Sequence, residues 1–238
     1  MTGSAAPGGM DPRSPSGLRA IIDRLIGEHP RPKVMTSATR LILWENIGYL
    51  IDDERRARLF AQFEETVGVN ARAIAEADEA VLMTIARQGG MRPETRVERW
   101  RTIARIILEA AGGDLDGLLP TLPRAKARTL LKRFPVIGDP GADKILLFAG
   151  LAARPALESN GLRVLARLGV FAEAASYPAN HHLAIDSLEA AGAGDAPWMI
   201  AAFHALRAHG QTPCKRGAPL CGSCALDAVC GHVEVRAL

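Results

Sequence analysis

The sequence predicts an all-α protein made of two helical lobes. From Leu18 onward apolar residues recur at helical spacing in segment after segment, and no run alternates as a half-buried strand does. Ser, Asp and Pro stand where helices start, and Gly or Pro where they stop. The segments are many and short to medium in length, which suits two packed lobes better than one simple bundle. No internal repeat is present.

Residues 1–17 are rich in Gly, Ala, Ser and Pro and read as a disordered tail, with Met10 as an alternative start. Leu18, Ile21, Ile22, Leu25 and Ile26 form the apolar stripe of a first helix, which His29-Pro-Arg-Pro32 ends. Ser37 caps a second helix running through Leu41, Ile42, Trp44, Ile47 and Tyr49. Asp52 and Asp53 open a third, with Leu59, Phe60 and Phe63 facing inward. Short helices over 71–77 and 79–87 lead to the break at Gly89-Gly90, and Pro93 starts a longer helix to Ala111. Helical patterns follow over 124–133, 141–152, 162–168, 182–191 and 197–209.

The 238 residues are 48% hydrophobic, 23% charged and 5% aromatic, as in an ordinary globular protein. The net charge of +3 is compatible with nucleic acid and too mild to establish it. No apolar run is long enough to span a bilayer, so no membrane partner is expected. The N-terminus lacks the charged start and apolar centre of a secretory signal, so a cytoplasmic location is expected, at the nucleoid if the source is bacterial. In that reducing compartment clustered cysteines favour a metal over disulfides.

All four cysteines lie between Cys214 and Cys230, with six, two and five residues between Cys214, Cys221, Cys224 and Cys230. Thiolates in this number hold either an iron–sulfur cluster or a tetrahedral zinc ion. Zinc modules usually show two close pairs, whereas here only Cys221 and Cys224 are close. Lys215 and Arg216 put two positive charges inside the first loop, which suits phosphate contact or plain solvation.

Residues 134–144 join two helical patterns by a tight Gly/Pro turn. Such a turn presents backbone N–H groups at a helix start, a ready anion site, although a plain helical corner looks the same. From Leu122 to Leu168 there are nine Lys or Arg and three acids. A basic face beside an anion-receptive turn is the footprint of phosphate-backbone binding.

Phe134-Pro-x-Ile-Gly138-x-x-Gly-Ala142 resembles the helix–hairpin–helix of the endonuclease III-like DNA glycosylases, and the cysteine spacing, with His209-Gly210 before it, resembles that family's 4Fe–4S loop. Val136 stands where the family has a first glycine. The resemblance runs from about Ser37 to Cys230. It implies a six-helix barrel over 37–150 containing the hairpin, and a second lobe from 18–36 plus 151–238 with the cluster loop at 214–230. Duplex DNA would lie in a cleft between the lobes. It implies a 4Fe–4S cluster on the four cysteines and DNA contacts from Val136, Gly138, Gly141, Lys215 and Arg216. Asn46 matches the polar residue that fills the gap left by a flipped base.

In that family an aspartate at a helix start after the hairpin stabilises the oxocarbenium-like transition state or activates water. Glu158 stands in its place, within Leu157-Glu158-Ser159-Asn160. Its plain reading is a helix-start acid with Ser159 or Asn160 as the cap. Bifunctional members carry a hairpin lysine that forms a Schiff base. Pro140 occupies that position, and Lys144 is either a displaced nucleophile or a phosphate-contacting side chain. His181, His182 and Asp186 read as surface or capping residues. The expected protein is a monomeric glycosylase that excises a damaged or mispaired base from duplex DNA, with weak or no AP lyase activity. The alternatives are a bifunctional glycosylase and AP lyase of endonuclease III type, a catalytically weak DNA-binding relative, or a zinc-stabilised nucleic-acid adaptor.

Overall fold

The computed structural model describes residues 10–29 and 32–232. They form twelve α-helices and four single 3₁₀ turns; the β pairing among them is one isolated bridge, Tyr49 to Gly90. No helix among the described residues is long and apolar enough to cross a membrane. The chain divides into two compact units. A central unit spans Val34–Ala152, and a terminal unit joins the chain through Lys33 to the chain from Ala153.

The central unit holds α2 (Ala38–Asn46), α3 (Asp53–Thr66), α4 (Ala71–Glu76), α5 (Glu79–Ala86), α6 (Pro93–Ala111), α7 (Leu115–Leu118), α8 (Arg124–Leu131) and α9 (Asp139–Phe148). Six of these have eight residues or more; α4 and α7 are single turns or little more. Several starts are marked by a capping side chain. Asp52, Asn70 and Asp78 cap α3, α4 and α5 through their side chains. Ser37 caps α2, and Asp116 of α7 adds a second carboxylate there, accepting from Ser37 Oγ at 2.9 Å and from the Ala38 N–H at 2.5 Å. The core gathers around Trp100, which is fully buried against Phe63 with ring centroids 4.7 Å apart. Its indole N–H donates to the carbonyl of Asn46 at 3.2 Å.

Helix α2 was expected to continue to Tyr49. It ends at Asn46, and Tyr49 pairs with Gly90 on a twin turn instead. Arg96 explains this turn. It is 5% exposed and donates to the carbonyls of Ala86 at 2.6 Å and Met91 at 3.0 Å. A Cβ on Gly89 would stand 2.6 Å from the Ile47 carbonyl oxygen and 2.9 Å from the guanidinium carbon, so glycine lets the two segments touch.

The terminal unit holds α1 (Pro15–Glu28), α10 (Ser159–Leu168), α11 (Tyr177–Gly192) and α12 (Ala196–Gln211). The stripe Leu18, Ile21, Ile22 and Leu25 is buried, and α1 packs on α11 and α12. Residues 1–9 of the expected tail lie outside the described residues. From Met10 onward that tail is structured. Ser14 Oγ accepts from the Gly17 N–H at 3.1 Å, Pro15 sits in the first turn, and Arg13 donates to the Gly169 carbonyl at 3.2 Å. A Ser-Pro helix start had been hidden by the Gly/Pro-rich composition around it.

Replacing Arg96 by Met should leave two carbonyls of the twin turn without their charged donor and cost about 2–3 kcal/mol. The check is a lower urea midpoint at an unchanged m-value.

Candidate nucleic-acid interface and metal centre

In the central unit the hairpin between α8 and α9 is seated by Phe134 and Ile137, both buried, and closed by a bond from the Ile137 N–H to the Phe134 carbonyl at 3.2 Å. Between them Val136 is half exposed and left-handed, with φ +59°. A β-branched residue strains in this region, which glycine enters freely. The turn is held from below by Asn46. Its Nδ2 donates to the Pro135 carbonyl at 3.1 Å and to the Ile42 carbonyl at 2.9 Å.

Asn46 is 3% exposed, so it is not the side chain that enters a base stack. It is a buried staple between α2 and the hairpin. The residues that do project nearby in the chain are apolar: Tyr49, Leu50 and Met91 are exposed on the twin turn, Leu50 at 76%. Sequence reading had assigned Tyr49 to a helix and missed this tip, because nothing local marks where α2 stops.

The hairpin's charges are largely neutralised among themselves. Asp139, at the first position of α9, lies 2.8 Å from Arg128 and 2.7 Å from Lys132, and Arg128 also pairs with Asp143 at 2.8 Å. The hydrogen bond from Lys132 and the neighbouring Arg128 hold the Asp139 carboxyl below the usual carboxylate range. Asp139 is thus turned back on α8. Arg124, Lys126 and Arg133 remain exposed. Gly138 precedes α9 in extended geometry, and a Cβ there would meet only Pro140, at 3.9 Å; a Cβ on Gly141 would touch the Ile137 side chain at 3.4 Å.

Lys144 is not poised as a nucleophile. Its Nζ lies 2.7 Å from Glu45 Oε1, its side chain is 18% exposed, and it sits over the Phe148 ring. It braces α9 against α2.

In the terminal unit Glu158 is itself the N-cap of α10. Its Oε1 accepts from the Gly161 N–H and its Oε2 from Asn160 Nδ2, both at 2.8 Å. Two carboxylate oxygens offer about four acceptor positions, so roughly two remain. The side chain is half-buried. Next to it lies an arrangement that the sequence did not suggest. His181 Nε2 is 3.2 Å from the Leu157 carbonyl, and the exposed Tyr177 ring stacks on His181 with centroids 6.1 Å apart. Burial, and then the charge of Glu158, push the Tyr177 phenol above its ordinary value. His182 and Asp186, by contrast, form an exposed pair 3.7 Å apart.

Helix α10 also grips the cysteine loop. Arg163 donates to the carbonyls of Cys214 at 3.1 Å and Gly210 at 2.6 Å, and to Asn160 Oδ1 at 2.7 Å. Arg167 reaches the carbonyls of Lys215 at 2.8 Å and Arg216 at 3.1 Å, and the Cys214 sulfur at 3.2 Å. The backbone of Lys215 and Arg216 is thereby fixed while both side chains stay exposed.

The four cysteines are half-buried, and they line one cavity with Val164, Leu168, Pro213 and Leu226. Among the described residues no three His, Cys, Asp or Glu side chains converge as a single ion requires. Four thiols around one largely apolar cavity suit a group that takes its ligands at separate corners. His209 is buried at the cavity's edge, and burial pushes it down to about 4, helped by the neighbouring His29. Burial pushes the Cys224 thiol up.

The chain has the endonuclease III-like fold, with its helix–hairpin–helix. It superposes on a trapped covalent endonuclease III–DNA intermediate and on a non-covalent endonuclease III–DNA complex. Each superposition has a TM-score of 0.74 and 17% identity and covers 94% of this chain, with 99% and 98% of the others. It is also similar to a thermostable thymine-DNA glycosylase, at TM-score 0.73, 15% identity, and 93% and 97% coverage. For the H. pylori 3-methyladenine DNA glycosylase the TM-score is 0.60 at 15% identity, over 82% of this chain and 95% of that one. No protein-family profile and no curated protein sequence matches the chain.

Val136→Gly should relieve the left-handed strain and raise stability by about 1 kcal/mol, read as a higher Tm. Asp139→Asn should release Lys132 and part of Arg128. Duplex DNA binding then tightens and the slope of log K against log salt steepens by about 0.9, the signature of one more phosphate contact. An unchanged slope in filter-binding or fluorescence titrations would place these cations away from DNA.

Proposed function

We propose that this protein is a DNA repair glycosylase that excises a damaged or mispaired base from duplex DNA. The observation that carries this reading is Glu158, a half-buried carboxylate held by two hydrogen bonds at the start of α10, on a fold shared with DNA glycosylases.

Breaking the bond between base and deoxyribose develops positive charge on the sugar ring. A carboxylate fixed beforehand stabilises that charge without reorganising. The two acceptor positions left on Glu158 can face the sugar or take a proton from an attacking water. The base must leave the stack to reach it. Tyr177, exposed and braced by His181, offers a planar face beside the carboxylate. Leu50 and Met91 are apolar side chains exposed on a turn clamped by Arg96, of the kind that wedges into a base step. Phosphates would be met by the hairpin amides about Val136, Gly138 and Gly141 and by Lys215 and Arg216.

The four cysteines would hold a 4Fe–4S cluster. Bound there, it would supply a rigid crosslink to a loop with little regular structure. The chain's own share of that task is the clamp of Arg163 and Arg167. The pairing of Lys144 with Glu45, and Pro140 at the hairpin-lysine position, support base release without efficient lyase activity.

A second reading, a DNA-binding relative with little catalysis, is favoured by one observation: both Glu158 oxygens already serve the helix end. A lesion panel separates the two. On the released lesion Glu158→Gln should lower base release at least 100-fold, since positioned charge stabilisation is worth about that much, with duplex binding nearly unchanged. Borohydride treatment of the parent protein should trap no covalent DNA adduct. Absence of release from every lesion with binding intact favours the second reading, and full activity in Glu158→Gln would move the chemistry elsewhere.

A further inference from the structure

Three side chains form a polar chain leading from Cys224 to an open crevice. His209, in the last turn of α12 and 2% exposed, places Nε2 3.5 Å from Cys224 Sγ. Its Nδ1 lies 3.3 Å from Nε2 of His29, which caps the C-terminal end of α1, and the two rings meet edge to face at 5.5 Å. His29 opens on a crevice of about 490 Å³ shared with Arg24, Glu28, Ser223 and Asp227. The backbone N–H of Leu226 also points at Cys224 Sγ, at 3.4 Å.

The order of protons along this chain is determined by its sulfur end. A neutral imidazole has one N–H and one acceptor nitrogen. A metal-bound thiolate has no proton to give. His209 must then donate Nε2–H to the sulfur, and its Nδ1 is left as an acceptor. His29 must in turn donate its own Nε2–H to that nitrogen. The opposite order exists only when Cys224 keeps its thiol proton.

We propose that His209 is a positioning residue for the metal-bound Cys224 thiolate, held in its Nε2–H tautomer by His29, and that this bond raises the reduction potential of the bound cluster. The proposal rests on the reading of the four cysteines as an iron–sulfur site and is independent of base release. Hydrogen bonds to a ligating sulfur withdraw electron density from it and favour the reduced state, and second-shell partners of this kind also fix a ligand's direction. Burial strengthens the effect, because little water competes for the same sulfur. Cys224 receives two N–H groups in this arrangement, one of them from a side chain that can be exchanged.

The test compares the iron-loaded protein with His209→Leu, His209→Gln and His29→Leu. Iron and sulfide content, the midpoint potential from protein-film voltammetry and the iron–thiolate stretching bands in resonance Raman spectra are measured for each. His209→Leu should shift the potential to more negative values and move the stretching bands. His209→Gln, whose amide can donate along a similar path, should stay near the parent, and His29→Leu should shift in the same direction by less. If His209→Leu fails to load iron, His29→Leu, which alters no residue touching a sulfur, decides the matter by the same two readouts. Unchanged potentials and spectra at full iron content overturn the proposal. Parent protein that binds no iron overturns the cluster reading and this inference together, whereas lost base release with normal iron and the expected shifts would overturn only the enzymatic reading.

Discussion

The terminal unit depends on α10. One ten-residue helix carries a carboxylate at its start and two guanidinium groups one turn apart along its side. The carboxylate is directed by Gly161 and Asn160, and Asn160 is shared with Arg163, which holds the carbonyl of Cys214. The chain of contacts from Glu158 to the cysteine loop is therefore short and made largely of charge-assisted hydrogen bonds, which are stronger and more directional than neutral ones. A loop whose backbone carbonyls are held by two half-buried arginines keeps its place with little secondary structure of its own. Gly210 shows how tight this packing is: a Cβ there would stand 2.6 Å from the Asn160 carbonyl oxygen.

The central unit is organised differently, around a buried amide. Asn46 joins α2 to the hairpin through its side chain, and to Trp100 through its carbonyl. Lys144 and Glu45 repeat the connection with an ion pair one residue earlier on α2. The hairpin is thus presented from a rigid base, which explains how a valine persists at a φ suited to glycine. The surrounding contacts over-determine the turn, so the strain at Val136 persists. The neutralisation of Arg128 and Lys132 by Asp139 and Asp143 means that the basic character counted along the sequence overstates the charge available to a partner.

Much of the fold was legible because its signals are local. Ser37, Asp52 and Pro93 mark helix starts by chemistry that acts within one turn, and each mark agrees with the helix found. The disagreements arise where a distant contact decides. Helix α2 stops at Asn46 because the following residues find partners on the Gly89–Gly90 turn, more than forty positions away. Ser14 and Pro15 begin a helix inside a segment whose composition suggested a tail. Asn46 and Lys144 were read by position in a motif; the structure buries Asn46 beneath the hairpin and pairs Lys144 with Glu45.

By itself the sequence determined the helical class, the four-thiol cluster with its spacing, the hairpin turn and the acid at the start of α10. These are set by spacing along the chain, and spacing survives without coordinates. Tertiary structure alone decided which charges are spent on one another, that His209 and His29 line up behind Cys224, and that Tyr177 and His181 stand beside Glu158. The physical reason is that hydrogen bonds, ion pairs and desolvation depend on distances between residues far apart in the chain. The same histidine is a solvated surface group or a buried donor according to what packs against it.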